Sequence, residues 1–209
     1  KKTPASEYES IRKSGKIAIT LKEGDELISI FKTTGNDNIF LATRNGMAIC
    51  FNENDARAVG RTASGVKAID LADGDYVVGA EPVREDSKVL LVTDGGYGKC
   101  TDLTSFRIQH RGGKGLKAYK ITEKTGNIIG ISMVNDSEEL IMVTSEGVVI
   151  RIRIKDIATT TGRITQGVRL INLDDGVTVV SMDKISAEDA VEEESEENNT
   201  EVTTETTEE

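Results

Sequence analysis

Short apolar runs alternate with polar turns along most of this chain, and the alternation recurs about every fifty residues. Gly15, Gly65, Gly115 and Gly167 mark the phase. They open Gly-Lys-Ile-Ala-Ile, Gly-Val-Lys-Ala-Ile, Gly-Leu-Lys-Ala-Tyr and Gly-Val-Arg-Leu-Ile, at separations of 50, 50 and 52 residues. Each is followed by a turn around Gly24, Gly74, Gly126 or Gly176, and each turn leads into an apolar run, at 27–31, 76–80, 128–133 and 177–182. Further runs at 39–43, 89–93 and 140–144 end just before Gly46, Gly96 and Gly147. Runs this short, rich in Val and Ile and bounded by Gly, Asp, Asn and Thr, predict strands. In 148–154, Val148, Ile150, Ile152 and Ile154 fall on one face of a pleated strand and Val149, Arg151 and Arg153 on the other.

A fixed period of this length implies stacked or radially arranged units. About four short strands per unit predicts propeller-like blades, an arrangement that leaves few exposed edges. The predicted fold is all-β, with units at 1–38, 39–86, 87–136 and 137–185. The first unit is partial. Lys1-Lys2-Thr3-Pro4 matches Lys99-Cys100-Thr101-Asp102, so the strand that should come before it is missing, and the natural protein is expected to continue upstream.

Charge divides the chain in two. All 26 Lys and Arg lie in 1–185 against 25 Asp and Glu, whereas 186–209 holds 11 acids and no base. The net charge of −10 therefore hides a near-neutral folded part on which basic loops can dominate locally. The Glu- and Thr-rich tail has too few bulky residues to offset the entropy of ordering and is predicted to be disordered. Two cysteines without paired spacing point to a reducing compartment, and no apolar run approaches a membrane span. Cys50 and Cys100 share one phase of the repeat with Lys2 and Arg151, which makes that phase a candidate rim position.

The richest chemistry lies in 107–117, where Gln109, His110, Arg111, Gly112, Gly113, Lys114, Gly115 and Lys117 fall together. Glycines admit close backbone approach, and flanking cations suit an anion, a polyanionic backbone above all. Equivalent turns carry Arg12, Lys13 and Lys16, then Arg57, Arg61 and Lys67, then Arg163 and Arg169. His110 has no catalytic partner nearby, and no cluster has metal-ligand spacing. Lys114 is not followed by Ser or Thr, which excludes a phosphate-binding P-loop.

The motifs Thr-Arg-Asn-Gly-Met47, Gly-Arg-Thr-Ala-Ser-Gly-Val-Lys67, Gly-Gly-Tyr-Gly-Lys99, Gln-His-Arg-Gly-Gly-Lys-Gly115 and Thr-Gln-Gly-Val-Arg169 resemble the C-terminal domain of the bacterial DNA gyrase A subunit over residues 1 to about 185. The resemblance implies a six-bladed β-pinwheel, in which neighbouring blades exchange strands, with this chain supplying the later blades. It implies wrapping of double-stranded DNA on a basic rim in support of negative supercoiling. It also implies partnership with the rest of the gyrase A subunit, together with the gyrase B subunit, in an A2B2 assembly in the cytoplasm and away from membranes. The family's nucleophilic tyrosine, ATP and Mg lie elsewhere in that assembly, so this chain is expected to hold no cofactor and to be inert alone. Gln109, Arg111, Gly112, Gly113, Lys114 and Gly115 match the family's box; His110 replaces a base of fixed charge. The acidic tail is expected to compete with DNA for the rim. The alternatives are a propeller that binds proteins and the corresponding domain of the topoisomerase IV A subunit.

Overall fold

The computed structural model describes residues 1–10 and 13–186. Among these residues twelve strands follow one another: β1 (Asn38–Thr43), β2 (Met47–Asn52), β3 (Val77–Pro82), β4 (Lys88–Thr93), β5 (Tyr97–Asp102), β6 (Leu116–Lys117), β7 (Ile128–Val134), β8 (Glu139–Thr144), β9 (Val149–Arg153), β10 (Thr159–Thr160), β11 (Val168–Arg169) and β12 (Val179–Ile185). Short 3-10 turns follow β2, β5 and β9. The apolar runs before Gly46, Gly96 and Gly147 become the first strands of three antiparallel hairpins, with the glycine in the connecting turn. Gly46, Gly96 and Gly147 have φ of +86°, +76° and +81°, a conformation that other residues adopt only with strain.

Each hairpin nucleates a sheet. The orders are β3-β1-β2-β6, then β10-β5-β4-β7 with β11 also on β5, then β12-β8-β9. The sheets share strands across the repeat. After β5 the chain turns back, bridges Cys50 through Ile108, and lays β6 on β2 of the preceding hairpin before going on to β7. After β9 it does the same, laying β10 and β11 on β5. This is the strand exchange expected of a pinwheel, and the all-β, blade-like architecture agrees with the sequence reading.

Packing explains why the units hold together. Phe106, on a returning segment, meets Phe40 of the preceding hairpin edge to face, with centroids 4.8 Å apart. Such a pair adds about 0.5–1.5 kcal/mol beyond burial. The inner strands β3, β7 and β12 stack knob against notch. A Cβ on Gly79 would lie 2.6 Å from Ile131 Cγ2, and one on Gly130 would lie 2.4 Å from Met182 Cγ. Glu81 ties the three strands together, accepting from Ser132 Oγ, the Met133 N–H and Lys184 Nζ at 2.9, 3.0 and 3.1 Å. These strands and residues 28–31 line an inner cleft of about 710 Å³.

Two expectations need correction. The run 27–31 is no strand, and Leu27, Ile28, Ile30 and Phe31 are exposed. Its counterparts β3, β7 and β12 each pair with the first strand of a preceding hairpin; no such hairpin stands beside 27–31 among the described residues. The phase of Cys50 and Cys100 does not face a rim in those units. Both thiols lie in the core, and burial pushes each up to about 11. Lys2, at the same phase, is half-buried against Glu53 at 2.8 Å, while Arg151 lies on the exposed face of β9 and pairs with Glu139. The tail prediction lies outside the described residues beyond Ser186.

Candidate nucleic-acid interface

The candidate loops are the returning segments, and their outer position follows from the sheet order. Two cross the outer strand of the preceding hairpin, where Ile108 bridges Cys50 and Thr159 pairs with Cys100, and the first bridges Lys2 at the same phase through Ala58. The repeating glycine sits where the segment lies flat on that hairpin. At Gly115, φ is +73° and a Cβ would lie 2.4 Å from Ala48 O; at Gly167, φ is +69° and a Cβ would lie 2.3 Å from Gly98 O. Packing alone therefore requires glycine at both positions. In the box, the Gly112 N–H donates to Ala68 O at 2.6 Å and the Asp70 N–H to Gly113 O at 2.9 Å. Gly112 thus directs its amide to the neighbouring segment.

Three arginines recur with the same contact. Arg61 NH1 donates to Ile17 O at 2.6 Å, Arg111 NH1 to Lys67 O at 3.0 Å and Arg163 NH1 to Lys117 O at 3.2 Å. Each acceptor is the second residue after the repeating glycine of the preceding unit. Each guanidinium therefore straps one returning segment to the one before it.

The anchors behind these straps differ. The Arg111 main-chain N–H donates to Asp55 Oδ2 at 3.3 Å and Nε to Asp55 O at 2.9 Å, while His110 Nδ1 lies 3.2 Å from Asp55 Oδ2. Lys99 anchors the Arg163 loop from inside. Its ammonium donates to Arg163 O, to Gly162 O at 3.2 Å and to Thr165 Oγ1 at 3.1 Å, and lies 5.3 Å from the Tyr119 ring centre. Lys99 is 1% exposed; burial, with the Arg163 charge, lowers its amine to about 8. Lys1 donates in the same way to Arg61 O and Ala18 O. Ile49 holds this position in the middle unit, where no such donor is available.

The remaining cations divide by partner. Lys13, Arg57, Lys114 and Lys117 are exposed and make no side-chain hydrogen bond or ion pair among the described residues. Lys67 pairs with Asp70 at 2.8 Å and holds that carboxyl below its usual range. Lys16 donates to the carbonyls of Glu7 and Glu9. Arg169 donates to Tyr97 Oη at 3.1 and 3.0 Å and to Asn172 Oδ1 at 2.9 Å. The Gln109 N–H donates to Cys50 O at 2.8 Å, and its Nε2 is buried without a partner. The His110 side chain is 98% exposed. Arg12 lies outside the described residues. The sequence reading did not single out Arg107 as a site residue. It is exposed and unpaired among the described residues, and lies fifty residues after Arg57, so the repeat itself was the missed signal. Among the described residues no three metal-ligating side chains come together, and no helix is long and apolar enough to cross a membrane.

The model for the DNA gyrase C-terminal domain, beta-propeller, matches four times, over residues 1–34, 37–84, 87–135 and 138–186. The DNA gyrase A subunit of Halalkalibacterium halodurans is 57% identical over 189 residues, covering 90% of this chain and 23% of that protein. The DNA gyrase A subunit of Ureaplasma parvum is 45% identical over 182 residues, covering 87% and 22%. The chain thus spans less than a quarter of these relatives. The solved C-terminal domain of DNA topoisomerase IV superposes with a TM-score of 0.85 at 27% identity, covering 95% of this chain and 62% of that one. A solved DNA gyrase A C-terminal domain gives 0.74 at 27% identity, covering 83% and 59%. Strand exchange, the fourfold match and the arginine-strapped outer loops agree: the chain belongs to the DNA gyrase C-terminal domain, beta-propeller family.

Proposed function

We propose that this chain binds double-stranded DNA without sequence preference along its outer loops and curves it, supporting negative supercoiling by a DNA gyrase. Its partners in that role are the remainder of the gyrase A subunit, together with the gyrase B subunit, in the bacterial cytoplasm. The breakage chemistry, ATP and Mg belong to those other parts, and this chain contributes binding and shape. The observation that carries the reading is the recurrence of exposed cations that make no side-chain hydrogen bond or close ion pair among the described residues: Arg57 and Arg107, fifty residues apart on successive returning segments, with Lys114 and Lys117 on the second of them.

The physics suits wrapping. Curving a few tens of base pairs costs on the order of 1–6 kcal/mol, which must be offset by contacts along the path. Cations that release phosphate counterions provide such contacts and read no bases. The test is duplex binding by a variant with Arg57, Arg107, Lys114 and Lys117 all changed to Gln. The reading predicts affinity lowered at least tenfold at low salt with an unchanged far-UV spectrum. Wild-type affinity in that variant would reject it.

A further inference from the structure

We propose that Arg61, Arg111 and Arg163 are positioning residues that fix the spacing between neighbouring basic loops, and that the phosphates are met instead by the exposed cations Arg57, Arg107, Lys114 and Lys117. The inference rests on the DNA-binding reading above and divides its residues into two classes. The sequence treats all these cations alike, but the structure separates them. Each of the three arginines places a guanidinium N–H on the carbonyl of the preceding returning segment, at Ile17, Lys67 and Lys117. A main-chain bond beside two of the straps repeats as well, Gly113 O accepting from the Asp70 N–H at 2.9 Å and Thr165 O from the Lys120 N–H at 3.1 Å, while beside Arg61 a side chain takes this part, Thr20 Oγ1 donating to Thr62 O at 2.6 Å.

The strap joins one returning segment to the next, beside the exchanged strands and the stacked inner strands that also link the units. Each acceptor carbonyl belongs to the second residue after the repeating glycine, which is Lys67 or Lys117 for Arg111 and Arg163, so these two arginines fix the backbone under a basic position of the unit before, while Arg61 fixes it at Ile17. Moving the strap would change the distance between cations on successive loops without changing their number. DNA curvature depends on that distance, whereas the number of counterions released depends on the number of contacts. A planar fork can hold the Asp55 and Lys67 carbonyls at once, which a lysine ammonium on a flexible stem does less well.

The experiment measures two quantities on the whole chain: the slope of log affinity against log salt, and the end-to-end distance of a bound duplex by fluorescence transfer. Arg61→Gln and Arg111→Gln are expected to keep the wild-type slope while the bound duplex straightens, and Arg111→Lys to straighten it too. Lys114→Gln is expected to make the slope shallower by about one. A slope lowered by about one in either arginine variant would make that arginine a phosphate ligand and overturn the proposal. So would wild-type slope and wild-type bend together in Arg61→Gln, whose strap is a single bond. A wild-type slope near zero would instead reject the DNA-binding reading itself.

Discussion

The loops 107–117 and 158–169 occupy the same phase of the repeat and carry the same arginine strap, yet opposite means hold them in place. The first rests on a partly exposed carboxylate, Asp55, which receives the Arg111 main-chain N–H and faces His110. The second rests on a buried ammonium, Lys99, which donates to the loop's carbonyls from beneath. They also differ in surface charge: Lys114 is replaced by Gln166 at the equivalent position. A repeat can therefore conserve an inter-unit contact while changing the chemistry that supports it.

The glycines where the loops meet their hairpins should be the most sensitive shared feature. Gly115→Ala and Gly167→Ala each place a Cβ within 2.4 Å of a carbonyl oxygen at positive φ. Each is expected to cost about 3 kcal/mol or more, read by urea unfolding. If only one substitution does so, the two loops are not structurally equivalent.

Lys99 should separate the loops by pH. Its amine titrates at about 8 in the fold against about 10.5 in the unfolded chain, so between those values the unfolded chain binds more protons and stability rises with pH. The full difference is about 3 kcal/mol, present above pH 10.5 and lost as pH falls through 8. Lys99→Met removes the ammonium donor from the Arg163 carbonyl and leaves the Gly162 carbonyl with Thr165 Oγ1 alone, but it also removes this burial penalty. It is expected to be near neutral at pH 7 and to cost about 2–3 kcal/mol near pH 10.5. Denaturant titrations at several pH values check this, and a cost independent of pH would show that Lys99 is not a buried amine. Asp55→Asn should act on the other loop alone, at about 1 kcal/mol. Hydrogen exchange at the Arg111 amide provides the local readout.

Much of this was legible before the structure. The fifty-residue period located every hairpin and the inner runs at 76–80, 128–133 and 177–182, because alternation and turn glycines are local signals. The run 27–31 looked the same and is not a strand, since pairing depends on a neighbour that no local pattern reports. The strap arginines were legible as cations but not as straps. Whether a guanidinium meets solvent or a carbonyl fifty residues earlier depends on how segments cross. Lys99 was harder still, because its buried position is set by a loop more than sixty residues away. Arg107 was visible one period after Arg57 and was missed only as a member of that set.

The smallest expected effect bears most directly on the central claim, that exposed loop cations meet DNA phosphates. The measurement is the salt dependence of duplex affinity for the wild-type chain, Lys114→Gln and Gln166→Lys. The account predicts a steep negative wild-type slope on a log–log plot, shallower by about one in Lys114→Gln and steeper by about one in Gln166→Lys. A flat wild-type slope, or identical slopes in all three, would contradict it.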